Sequence, residues 1–141
     1  MKALALVFSL LLLGGCAGGL SIDRSQTSAN HDSRVQWVVV HYPSTDGQHS
    51  LELLTRGGVS SHYLIGEAPA TIYQLVDENR RAWHAGDSQW RGRTWLNAST
   101  LGIELVNQGY ADTPAGRVWQ PYSEAQIDAL ILLLKDIVQR H

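Results

Sequence analysis

Apolar and polar positions along this chain change rhythm several times, and each change marks an element. Val35 to His41 is rich in β-branched residues and is broken by Pro43, which predicts a buried strand ending at an imidazole. Ser50 to Gly57 has a short helical pattern that stops at Gly57-Gly58. Ser60 to Gly66 and Thr71 to Val76 are strand-like runs joined by Glu67-Ala68-Pro69-Ala70, which predicts a hairpin. Thr100 to Val106 reads as another strand, with Asn107-Gln108-Gly109 turning out of it. The last element is the clearest. Ser123-Glu124-Ala125-Gln126 has the form of a capping box, just after Pro121. Ile127, Leu130, Ile131, Leu134, Ile137 and Val138 then recur at helical spacing as one apolar stripe. Strands followed by a long helix predict an α/β fold of the mixed α+β kind, a central mixed sheet flanked by helices.

The beginning of the chain follows another pattern. Lys2 precedes an unbroken apolar run from Ala3 to Leu13, and then Gly14-Gly15-Cys16. A basic start, a short apolar segment and a small-residue exit make a secretory signal. A membrane span needs about 20 apolar residues, and this run is too short. Leu13-Gly14-Gly15-Cys16 also resembles the bacterial lipobox, which makes Cys16 the expected lipidation site; it is the only cysteine. Ala17 rather than aspartate follows it, which by the same resemblance favours the outer membrane, facing the periplasm. The expected organisation is a signal peptide over 1–16, a polar flexible tether over 17–33 and a folded domain over 34–141.

Composition narrows the class. With 141 residues, 44% hydrophobic and 17% charged, the chain suits one globular domain and its tether. The net charge is −2 and no basic run is present, which argues against nucleic acid as a partner.

Three positions look chemically loaded: His41 at a strand end, His84 in Ala82-Trp83-His84-Ala85-Gly86, and Glu104 between Ile103 and Leu105. Each has an ordinary alternative. His41 reads equally as a hydrogen-bonded strand-end residue, His84 as a packed neighbour of Trp83, and Glu104 as a strand residue facing solvent. Alternation puts Glu104 on the opposite face from Ile103 and Leu105, where a half-buried carboxylate is costly without compensation. No HExxH, CxxC or pair of histidines at i and i+4 gives an independent metal signal, and no GxSxG elbow or phosphate-binding loop is present. Five tryptophans are many for this length; for most of them, packing in the core is the expected use.

Read together, VVVHYPST, VSSHYLIGE, IYQLVDENRRAWHAGDSQW and LNASTLGIELVNQG resemble the zinc-dependent N-acetylmuramoyl-L-alanine amidases of the phage-lysozyme and peptidoglycan-recognition type. The Gram-negative lipoprotein amidases are the branch they resemble most. The resemblance runs from about Arg34 to His141. It implies a peptidoglycan hydrolase that cleaves the amide between N-acetylmuramic acid and L-alanine, with Zn2+ as cofactor. It also implies peptidoglycan or muropeptides as partners, besides the membrane held through the lipid anchor. His41 matches the family's first zinc ligand, and Glu104 the glutamate that activates the attacking water. His84 and Asn97 match cleft residues and are expected to bind substrate, and His62 is expected to have a supporting role.

The resemblance also implies a departure. The family's second histidine and its acidic third ligand follow the long helix in a GHSDIAP-like segment, and this sequence reaches His141 with one ligand of three. The expectation is therefore an amidase domain lacking its last segment. The alternative is a non-catalytic peptidoglycan-binding lipoprotein that keeps the cleft without the zinc. His141 is expected in the last helical turn, where a cation suits the helix dipole.

Overall fold

The structure, a computed structural model, describes residues 20–141. The proposed leader and Cys16 lie outside the described residues. Leu20–His31, within the expected tether, is exposed and carries no helix or strand, whereas Asp32 and Ser33, also expected in the tether, belong to the folded unit. Asp32–His141 forms a compact unit of its own. Its elements in chain order are β1 (Trp37–His41), α1 (Gly47–Arg56), β2 (Tyr63–Ile65), β3 (Ile72–Gln74), β4 (Gln89–Trp90) and β5 (Arg93–Thr94). After a 3-10 turn at Leu96–Ala98 come β6 (Thr100–Leu105), β7 (Tyr110–Thr113), β8 (Gly116–Trp119) and α2 (Glu124–Arg140). No helix of the described residues is long and apolar enough to cross a membrane.

The main sheet has the order β1-β6-β2-β3. Strands β1, β6 and β2 run parallel, and β3 returns antiparallel from β2 as the expected hairpin. Strand β6 is the spine, buried at all six positions, as a central strand with both faces covered must be. Its odd-numbered residues Leu101, Ile103 and Leu105 pack with Tyr63, Ile65, Leu133 and Ile137 on the side of α2. Leu64 and Val106 meet Leu54 of α1 on the other side. Each fully buried Leu or Ile contributes about 1.5–3 kcal/mol, so two small clusters hold the sheet between two helices.

Both helices are set by polar anchors. Helix α1 starts three residues before the sequence pattern suggests, because Asp46 accepts hydrogen bonds from the Gln48 and His49 N–H groups and caps it. Helix α2 has the expected capping box between Ser123 and Gln126. Its rotation departs from expectation. Leu130, Leu134 and Ile137 do face the sheet, but Ile131 is 43% exposed, Val138 is 74% exposed, and Ile127 also lies outside. Gln126 explains the shift. Its buried amide donates to the Val106 carbonyl at 2.8 Å, which fixes the helix with Gln126, Leu133 and Ile137 inward.

Two small hairpins were not visible in the sequence pattern. One joins β4 to β5 through Arg91 and Gly92, both at positive φ, as a two-residue turn requires. The other joins β7 to β8 and has every strand residue exposed. The tryptophans also depart from expectation: Trp83, Trp90, Trp95 and Trp119 are all more than half exposed. They stand on hairpins and loops, where Arg81 covers Trp83 at 4.4 Å and Tyr110 meets Trp119 edge-on at 4.9 Å.

Candidate active site

Strand register assembles the candidate residues. His41, the last residue of β1, pairs with Glu104 of β6, and Glu104 pairs on its other side with Leu64 of β2. Alternation turns Thr100, Gly102 and Glu104 to the face opposite Leu101, Ile103 and Leu105, which the sequence predicted for Glu104 relative to Ile103 and Leu105. Glu104 is only 8% exposed, and its Oε2 has no hydrogen-bond partner. Burial disfavours the charged form and pushes its carboxyl up to about 7.

His84 arrives on the loop before β4 and lies against this face. Its Nδ1 is 3.1 Å from His41 Nε2 and its Nε2 is 3.1 Å from Thr100 Oγ1. The His41 and His84 rings meet edge-on with centroids 5.3 Å apart. Asn97 Oδ1 accepts from the N–H of His84 at 3.1 Å and of Ala85 at 2.8 Å, tying that loop to the 3-10 turn. Gly102 makes room for the ring: a Cβ there would fall 2.4 Å from His84 Cγ. Burial, then the neighbouring charges of His41, His62 and Arg34, bring His84 down to about 4, so it is neutral at pH 7. Burial also lowers His41 below the usual imidazole range.

His62 closes the site from below and is fully buried. Its Nδ1 accepts the Gly102 N–H at 3.0 Å, which puts its own proton on Nε2, facing the Arg80 carbonyl at 3.1 Å. Arg34 stands beside it and donates to the carbonyls of Glu78, Arg80 and Ala98. Of the residues singled out in the sequence, the structure brings His41, Glu104, His84, Asn97 and His62 together; Thr100, Gly102 and Arg34, which stand among them, were not singled out. Gly102 left a signal, since a glycine inside a strand of bulky residues marks a close approach.

His141 lies elsewhere. It caps α2, with Nε2 3.1 Å from Glu78 Oε2 and Nδ1 2.7 Å from Ser33 Oγ. Around the cleft stand Tyr42, whose ring lies 3.4 Å from where a Cβ on Gly109 would sit, and the exposed Tyr122. A groove of about 370 Å³ follows β1, with Trp37, Trp90, Leu96 and Thr100 among its walls.

The donor set can be tested against a metal ion. Among the described residues no group of three or more His, Cys, Asp or Glu side chains is placed to hold one. A catalytic zinc needs three protein ligands and an open position. The half-buried His41 and the unpartnered oxygen of Glu104 fit one ligand and one water-facing carboxylate of such a site, not the whole of it.

The chain is 41% identical over 150 residues to N-acetylmuramoyl-L-alanine amidase AmiD of Escherichia coli (strain K12), covering 96% of this chain and 54% of that protein. The structure of the E. coli amidase AmiD, in complex with the substrate anhydro-N-acetylmuramic acid-L-Ala-D-gamma-Glu-L-Lys, superposes with a TM-score of 0.76 at 41% identity. That match covers 86% of this chain and 50% of the other. AmpDH3 of Pseudomonas aeruginosa gives a TM-score of 0.76 at 37% identity, over 87% of this chain and 53% of that one. The chain thus spans about half the length of the relatives it matches. The family model described as N-acetylmuramoyl-L-alanine amidase matches residues 31–141, and the chain belongs to that family.

Proposed function

We propose that this chain carries the water-activating part of a peptidoglycan amidase site, hydrolysing the amide between N-acetylmuramic acid and the L-alanine of the stem peptide. The observation that carries the reading is Glu104: a buried carboxylate with an unpartnered oxygen, level with His41 at the end of the parallel strands. A group held near pH 7 is suited to take a proton from water and to return it.

The roles follow from position. His41 would be one ligand of a zinc ion, which would supply a water with its pKa lowered towards about 7. Glu104 takes a proton from the water that attacks the amide carbonyl, then delivers it to the leaving amine of L-alanine. His84 and Asn97 form the wall of the substrate cleft beside His41. AmiD was solved with an anhydro-muramyl peptide and AmpDH3 with an anhydromuramic pentapeptide, which supports muropeptides as the substrate class. We further assign residues 1–16 to a lipoprotein signal with Cys16 as the lipidated residue. The anchor would place the domain at the outer membrane, facing the periplasm.

One observation favours the second reading, a peptidoglycan-binding protein without catalysis: the described residues hold no complete set of metal donors. The two readings part in one experiment. The zinc-supplied chain is mixed with an anhydro-N-acetylmuramyl peptide, and both bound ligand and free peptide are measured. Release of the L-alanine-initiated peptide is the expected result, whereas binding without release would establish the second reading.

A further inference from the structure

We propose that the β7–β8 hairpin is an accessory saccharide site, which takes a sugar of the peptidoglycan glycan strand beside the candidate cleft. The inference rests on the proposed function in naming the polymer and deepens it, since it makes the strand itself part of what the protein binds. It starts from a hairpin that lies outside both core clusters, with every strand residue exposed. A two-stranded hairpin with no buried face is marginal on its own. This one is nevertheless tied down at its root. The Gln120 N–H donates to the Gly109 carbonyl at 2.8 Å, and the Gln108 N–H to Gln120 Oε1 at 2.7 Å. Asn107 Nδ2 donates to the Gln120 carbonyl at 3.2 Å, and Gln120 Nε2 reaches Glu67 in the turn between β2 and β3.

What these bonds hold in place is an aromatic ring. Tyr110 and Trp119 are cross-strand partners, and their rings meet edge-on with centroids 4.9 Å apart. Arg117 covers the Tyr110 ring at 3.6 Å and pairs with Asp112 at 3.3 Å. Trp119 is thereby oriented, yet it stays 57% exposed. A ring fixed before binding has little freedom left to lose when a ligand arrives. A groove of about 340 Å³ runs along the hairpin root, with Tyr110, Val118, Trp119, Pro121, Gln108 and Gln120 among its walls.

Position and chemistry together name the occupant. Gly109 also lines this groove, and the Tyr42 ring lies against it; Tyr42 directly follows His41. The groove thus begins one tyrosine away from the candidate cleft. A pyranose needs a flat apolar surface for its C–H face and donors and acceptors for its hydroxyls. The Trp119 ring offers the first, and the amides of Gln108 and Gln120 offer the second. Asp112 and Arg117 are the only charged residues from Asn107 to Tyr122, and they pair with each other. The hairpin therefore carries no net charge to attract an anionic lipid surface, and a neutral sugar polymer suits it better.

The test is calorimetric titration of the full chain with soluble glycan strands from which the stem peptides have been removed. Wild type should bind them, Trp119→Ala should bind about 10-fold more weakly, and Trp119→Phe, which keeps a ring, should lose much less. A wild-type chain that binds no strands would overturn the proposal, whichever variants fold. So would a folded Trp119→Ala protein that binds them as wild type does. Trp119-dependent binding to vesicles of phosphatidylethanolamine and phosphatidylglycerol, or Trp119-dependent self-association in sedimentation, would overturn it in favour of a lipid surface or a second copy of the chain if strand binding ignored the substitution. A chain that binds strands through Trp119 but releases no peptide from an anhydro-muramyl peptide would uphold this site and refute the proposed hydrolysis. Peptide release without strand binding would do the reverse.

Discussion

Two buried glutamates in this small domain live in opposite surroundings. Glu78 sits at the end of α2 and is fully partnered. Both guanidinium nitrogens of Arg140 reach it, the Tyr63 hydroxyl donates at 2.6 Å, and His141 Nε2 lies at 3.1 Å. Glu104 sits at the end of β6 with one oxygen unpartnered. The Arg140 hydrogen bonds hold Glu78 at about 2, outweighing its burial, whereas burial alone lifts Glu104 to about 7. The first carboxylate is used to hold the chain together, tying α2 to the segment after β3. The second is left buried without a partner, at a cost to the fold.

The same substitution at the two positions should therefore give opposite results. Glu104→Gln has the largest expected effect. Loss of the proposed general base should lower amide hydrolysis by about 10²- to 10⁴-fold, measured as peptide release from an anhydro-muramyl peptide. Its stability should move the other way. A carboxyl raised from 4.5 to about 7 on folding weakens the fold as pH rises through that window, so the variant should melt higher than wild type at pH 8. A lower melting temperature there would break the comparison.

Next comes Ile137→Ala, which asks whether the core or the Glu78 cluster holds α2. Ile137 is buried in the sheet-side cluster, and truncation should cost about 2–4 kcal/mol in chemical denaturation. Glu78→Gln should cost about 2–3 kcal/mol, less than for a fully enclosed pair because Arg140 remains partly exposed. It should leave amide hydrolysis within a small factor of wild type.

The pH dependence sharpens the same point. The Glu78 carboxyl is depressed from 4.5 to about 2 on folding, so its contribution is complete above about pH 4.5 and is lost as pH falls towards 2. Glu78→Gln should flatten that part of the stability curve, and an unchanged acid limb would show that the cluster does not stabilise the fold. Val138→Ala has the smallest expected effect, within about 0.5 kcal/mol, since the side chain is mostly in solvent. A large loss there would mean α2 is rotated from the orientation that Gln126 sets.

Much of this was legible in the sequence where one residue's neighbours along the chain determine its surroundings. Alternation along β6 put Glu104 opposite Ile103 and Leu105, and a strand broken by Pro43 put His41 at its end. The capping box announced the start of α2. What was not legible depends on partners distant in sequence. The rotation of α2 follows from Gln126 reaching the Val106 carbonyl, a contact no helical period contains. The β7–β8 hairpin is exposed at every strand position, so it has no buried face and no alternation to read. The His41–His84–Thr100 chain joins three elements, and only the odd glycine at 102 hinted that something lay close to β6.

The most direct measurement of the central contrast is a carbon-detected NMR titration of the two glutamate carboxyls in the metal-free chain. Midpoints near 7 for Glu104 and near 2 for Glu78 are the predicted result. If both carboxyls titrated together in the ordinary range around 4.5, Glu104 would be no more reactive than a surface glutamate, and the account of the site would be contradicted.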